Sequence, residues 1–148
     1  MFLRRHQAML RVVNTRPIAT GLFETAPALR LSGGRERSGG RVVFPAPADH
    51  DRFEQIELPD HGTLWSYTVQ RFAPKSPPYD GPEPFAPFAV GYVELPGACI
   101  VESRLKCGSF DELRLGMPMQ LTTDCLRTDP DGTQVLIYAF RPVVAAGS

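Results

Sequence analysis

Cysteine is scarce in this 148-residue sequence, and its three copies are poorly placed for either of their usual structural tasks. Cys99, Cys107 and Cys125 form no CxxC pair, which removes the common zinc and redox spacings. An odd, widely spaced set also argues against a disulfide scaffold and for a reducing compartment, so the cytoplasm is the expected location. Histidine is equally rare: His6, His50 and His61 all precede residue 62, and none has the context of a catalytic triad. No apolar run approaches the roughly 20 residues that a bilayer demands, so no membrane span is expected. The glycine pairs Gly33-Gly34 and Gly39-Gly40 are followed by no GK[ST], which excludes a phosphate loop of that type.

Balanced charge is what the sequence has instead. Sixteen bases meet sixteen acids, but unevenly: residues 1–41 hold eight arginines against Glu24 and Glu36, and the remainder carries the compensating acidic excess. This describes a basic arm on a mildly acidic body. The opening "MFLRRHQAMLRVVNTRPIATG" has arginines without a continuous apolar stretch, so a secretory signal is not expected; its lack of acids leaves only a weak transit-peptide signature. The length suits one domain with an N-terminal appendage.

Along the chain, Phe2, Leu3, Met9, Leu10, Val12 and Val13 suggest a short helix that Pro17 limits. "SGGRERSGG" (32–40) reads as a turn or flexible loop. "RVVF" (41–44) is a short strand stopped by Pro45 and Pro47, and "FEQIEL" (53–58) a short half-buried strand. "PDHG" (59–62) reads as a turn. "TLWSYTVQRF" (63–72) alternates, with Trp65, Tyr67 and Val69 on one face. "APKSPPYDGPEPFAP" (73–87) holds six of the fifteen prolines and excludes both helix and central strand, leaving a stiffened loop. "FAVGYVELPG" and "ACIVESRLKC" form a hairpin around Pro96-Gly97. "GSFDELRLG" (108–116) carries a helical turn with Ser109 as N-cap and Glu112 completing a capping box. Two final strands, 117–128 and 133–142, flank the "DPDG" turn.

The body therefore runs β–loop–β–β–α–β–β. That order predicts a mainly β protein with a five-stranded OB-fold barrel at residues 62–143, closed so that its edges are hidden. Before the barrel stand an N-terminal helical arm, 1–30, and a small segment, 31–61.

The stretches "GRVVFP", "IELPDHGTLWSYTVQRFAP", "FAPFAVGYVELPGACIVESRL", "FDELRLGMPMQL" and "YAFRPV" resemble, in order and spacing, the acyl-CoA-associated OB-fold proteins known as domain of unknown function 35. The likeness covers roughly residues 29–143. The resemblance implies an N-terminal helix, a rubredoxin-like zinc ribbon and a C-terminal OB-fold. It also implies a role as partner of a thiolase-superfamily or related acyl-CoA enzyme, which supplies the catalytic group. The ribbon departs from the family pattern. Its first cysteine pair would fall at Glu36 and Gly39, and its second between Pro45 and Phe53, where only "APADHDR" stands. A structural zinc site wants four Cys or His ligands, so residues 31–61 are expected to form a degenerate ribbon without zinc.

No residue is assigned a catalytic role. Cys99 and Cys125 read as small buried strand residues; Asp111-Glu112 read as capping, and Asp129 and Asp131 as turn formers. Candidate contacts with a partner, or with a CoA thioester as ligand, are Arg35, Arg37 and Arg41 beside the ribbon. Aromatic Phe72, Tyr79, Phe85 and Phe88 around the proline-rich loop complete the set. The expected function is a non-catalytic accessory subunit of an acyl-CoA enzyme, in a homodimer or hetero-oligomer. The alternative is an OB module that stacks single-stranded nucleic acid on Trp65, Tyr67, Tyr92 and Phe140. The acidic excess of the barrel segment opposes a phosphate backbone, so no nucleic-acid partner is expected.

Overall fold

A computed structural model describes residues 14–71 and 86–143. The expected helix within residues 2–13, most of the proline-rich loop, and Phe72, Tyr79 and Phe85 lie outside the described residues.

Alternating apolar positions and turn glycines lay out five long strands: β6 (His61–Gln70), β7 (Phe88–Glu94), β8 (Ile100–Leu105), β9 (Pro118–Thr128) and β10 (Gln134–Pro142). They pair in the order β6-β7-β8-β10-β9, and β9 returns to β6 through His61↔Gln120 to Thr63↔Pro118. The ring is closed. Only β8 and β10 run parallel, through Ala139↔Arg104 and Phe140↔Leu105. This is the expected five-stranded OB-fold barrel.

So small a barrel leaves little room inside. Its inward positions accordingly mix Gly62, Gly91, Ala89 and Ala139 with Leu64, Val93, Val101, Leu105, Met119, Leu121 and Phe140. Gly91 is obligatory: a Cβ there would come within 2.7 Å of the Ser66 carbonyl and 2.9 Å of Leu105 Cδ1. Trp65 and Tyr92 take the opposite parity and face outward. The register shift between Leu64 and Ser66 parts Trp65 from Tyr67 and Val69, expected on its face: these two stand opposite the inward Gly91 and Ala89.

Ahead of the barrel, β1 (Thr15–Pro17) lies parallel to the start of β10. A second small sheet follows, built from β2 (Phe23–Glu24), β3 (Arg30–Glu36), β4 (Val42–Val43) and β5 (Phe53–Glu57). Antiparallel β2 and β4 pair with opposite ends of β3, and β5 also pairs with β3. Phe23, Leu31 and Leu58 share one continuous apolar core with the barrel interior.

Several local expectations are corrected. "SGGRE" is strand, not loop, because Gly33 and Gly34 are chosen for close packing rather than freedom: a Cβ on Gly33 would meet Leu58 Cδ2 at 2.6 Å, and one on Gly34 would meet Pro47 Cδ at 2.7 Å. His61 and Gly62 belong to β6 rather than to a turn, drawn in by pairing with β9. The helical turn is a single 3-10 turn, Phe110–Glu112; Ser109 caps it by accepting from the Asp111 backbone N–H at 3.2 Å. Cys125 is exposed on β9, and Cys99 is half-buried in the turn before β8. Among the described residues, no helix is long and apolar enough to cross a membrane.

Candidate partner interface

The tip of the small sheet is where a zinc ribbon would hold its metal, so its chemistry comes first. Two turns face each other there, residues 36–41 and 49–53. The Arg37 backbone N–H donates to the Arg52 carbonyl at 2.8 Å, and the Arg37 guanidinium donates to the His50 carbonyl at 3.2 and 3.1 Å. Asp49 tightens the second turn, its carboxylate accepting from the N–H groups of Asp51 and Arg52. Between the turns lies Glu36. Its carboxylate pairs with Arg52 at 3.3 Å and with Arg41 at 3.9 Å. Gly39 leaves the space this needs, since a Cβ at that position would stand 2.8 Å from Glu36 Oε1. These residues do not fit zinc. One position has no side chain, the other is spent on two guanidiniums, and among the described residues no three Cys, His, Asp or Glu side chains converge on a metal position.

Arg37 and Arg41, expected as partner contacts, are thus engaged in holding the tip. Arg35 stands exposed on β3. Phe88 opens β7 half-buried, with the Arg104 guanidinium 3.9 Å from its ring centroid. It borders a shallow cavity of about 190 Å³ lined also by Pro87, Leu105, Cys107 and Phe110. None of the hydrogen bonds, ion pairs or ring contacts among the described residues joins this barrel mouth to the arginine tip.

Cys107, in that cavity, is not an activated nucleophile. Burial and the nearby Glu112 carboxylate both push its thiol pKa up, whereas a reactive thiol needs it lowered. His61 is no help: it sits beside Glu94 at the far end of β7, and seven strand residues separate those ends by about 20 Å.

His61 belongs to a different cluster, which seats the small sheet on the barrel. Its Nδ1 lies 3.2 Å from Asp60 Oδ1, while Asp60 Oδ2 accepts from Arg30 of β3 at 3.1 Å. The Gln120 amide donates to the Asp60 carbonyl at 3.0 Å. The hydrogen bond from His61, then the positive charge of Arg30, hold the Asp60 carboxyl below the usual range despite partial burial. The apolar half of this joint is Tyr138. Its ring meets Phe23 and Phe44 edge-on at 6.2 and 5.4 Å, and its hydroxyl donates to the Glu102 carbonyl at 2.9 Å.

On the outer barrel wall, Trp65 and Tyr92 form a T-shaped pair at 6.4 Å. Register shifts between Leu64 and Ser66, so Trp65 and Ser66 together oppose Tyr92, as in a β-bulge. The fourth supposed stacking platform, Phe140, is fully buried in the barrel core and presents no face to a base.

Comparison with known proteins agrees with this geometry. Residues 55–124 match the model of the ChsH2 C-terminal OB-fold domain. A "DUF35 domain-containing scaffold protein" of Pyrococcus furiosus is 27% identical over 121 residues, covering 78% of this chain and 85% of that protein. Among solved structures, the "Ltp2-ChsH2(DUF35) aldolase" superposes with a TM-score of 0.57 at 24% identity, over 78% of this chain and 86% of that one.

Proposed function

We propose that this chain, whose residues 55–124 match the model of the ChsH2 C-terminal OB-fold domain, is a non-catalytic accessory subunit of an acyl-CoA enzyme. The partner is of thiolase or aldolase type, and the chain helps to form its CoA-ester passage. The observation that carries this is the chemistry of the described residues: the half-buried thiol and the Asp60–His61 pair sit at opposite ends of the barrel and cannot act on one substrate. The DUF35 domain-containing scaffold protein among the similar proteins supports the same role, and the likeness to the Ltp2-ChsH2(DUF35) aldolase supports the fold. In this reading the exposed Arg35, Arg37 and Arg41, and Phe88, with Phe72, Tyr79 and Phe85 around the proline-rich segment, contribute to the partner or CoA-ester contact, and the complex works in the cytoplasm. The purified chain alone is expected to turn over no acyl-CoA thioester. Affinity purification from its native cell should bring down a thiolase-superfamily subunit, and thioester turnover should appear only in that complex. Turnover by the isolated chain would end the proposal.

The same reading makes the small sheet independent of zinc. Metal analysis should find far less than one zinc per chain, and a chelator should leave the melting temperature unchanged. Glu36→Gln, by contrast, should lower stability by about 1 kcal/mol, a shift of about 2–4 °C at this chain length, because the pairs it breaks are partly exposed. One zinc per chain, or a Glu36→Gln melting curve that overlays the parent, would refute it.

A further inference from the structure

We propose that the outer wall of β6–β8 is the surface that grips the enzyme partner, and that it takes a cationic segment in which arginine or lysine alternates with apolar side chains. This rests on the accessory-subunit reading above and names its contact.

The wall is unusual for a small barrel. Trp65 is 59% exposed, Tyr92 43% and Ile100 44%, and they lie together on three adjacent strands. Trp and Tyr are among the residues that dominate interface energetics, and contiguous exposed apolar area marks an interaction site. Trp65 and Tyr92 already hold each other edge-to-face, so little side-chain freedom is lost on docking.

Charge selects the occupant. On the same outward parity, Tyr92 stands opposite Glu102, and Glu94 opposite Ile100. The result is a checkerboard, aromatic or aliphatic beside acid in both rows. No described cation pairs with Glu94 or Glu102, although Arg104 is on the same strand, because its guanidinium is drawn to Phe88. An incoming guanidinium or ammonium would find a carboxylate within a residue of an aromatic face, the arrangement that favours ion pairing and cation–π contact together. A phosphate backbone would meet two carboxylates and no described cation in the same rows.

The test uses the enzyme subunit recovered with the chain. Trp65→Ala and Tyr92→Ala, both outward and separable from folding by circular dichroism, should each weaken the complex about 30-fold or more. Glu94→Gln and Glu102→Gln should each weaken it about two- to fivefold and flatten its salt dependence. A complex that forms with parental affinity in all four variants would sink the docking surface while leaving the accessory role standing. No complex with the parent chain would sink both.

One rival occupant is the chain's own basic arm, residues 1–13. Trp65 is the sole tryptophan, so its emission in the free chain reports directly on this wall. Emission unchanged by deleting residues 1–13 supports an open surface. A red shift on deletion, reversed by adding the 1–13 peptide, would show that the arm covers the wall and would overturn the proposal.

Discussion

Phe140→Ala should lower the stability of this protein by about 3–5 kcal/mol, which at this size is a fall of about 10–15 °C in melting temperature. Phe140 is one of the largest fully buried side chains in the barrel, and it sits where three strands meet: Leu105 flanks it across the parallel β8 pairing and Leu121 across the antiparallel β9 pairing. Its carbonyl also receives the Lys106 N–H at 2.8 Å. Removing the ring opens a void that a closed five-stranded barrel cannot shrink to fill, because every wall strand is bonded on both sides. The backbone bond to Lys106 remains, so the loss isolates packing. Thermal and denaturant melts would measure it, and a loss below about 1 kcal/mol would mean that the barrel collapses around the gap. Because the small sheet shares the same apolar core, both parts should melt in one transition.

Tyr138→Ala comes next, with an expected loss of about 3 kcal/mol, against about 1 kcal/mol for Tyr138→Phe. The ring is the hinge-pin between the two sheets, touching Phe23 and Phe44 of the small sheet from its place on β10. Phenylalanine keeps both edge-on contacts and loses only the hydroxyl's bond to Glu102. Alanine loses everything and should let the small sheet detach, so limited proteolysis should cut near residues 58–61 in Tyr138→Ala and not in Tyr138→Phe. Equal losses in the two variants would transfer the joint's strength to the hydroxyl. At high pH the sign is also set: burial, then Glu102, raises the Tyr138 pKa. Its contribution is therefore complete below the ordinary tyrosine value of about 10 and declines as pH rises through the folded value.

The barrel was legible in the sequence for a physical reason. Alternation in "TLWSYTVQ" and "FAVGYVE", together with turn residues at Pro96-Gly97 and Asp129–Gly132, encodes strands and hairpins locally. Which face turned inward was less obvious. Bulk alone would put Trp65 inside, yet the ring has space only for Gly62 and Leu64 on the other parity, and the bulge after Leu64, which turns Tyr67 to the side of Gly91, breaks an alternation that reads as continuous in the sequence. The glycines of β3 misled for a related reason. Gly33 looks like a flexible joint until Leu58 and the Val43 carbonyl are seen to occupy the room a side chain would take. The candidate site was harder still. Arg37 and Arg41 read as candidate contacts for a partner or CoA ester, while their partners within the fold, the His50 carbonyl and Glu36, come from chain reversals that no local pattern announces. Tyr138 gave no signal at all, since its role exists only once the two sheets meet.

The side-chain clasp at Glu36 has a consequence for how such a chain survives in the cell. A thiolate-bound metal ties folding to metal delivery and leaves sulfur open to peroxide. Carboxylate and guanidinium have neither weakness: they need no loading step and do not oxidise. What they respond to instead is dissolved salt, so this tip should hold through metal starvation and oxidative stress, and loosen where ionic strength climbs.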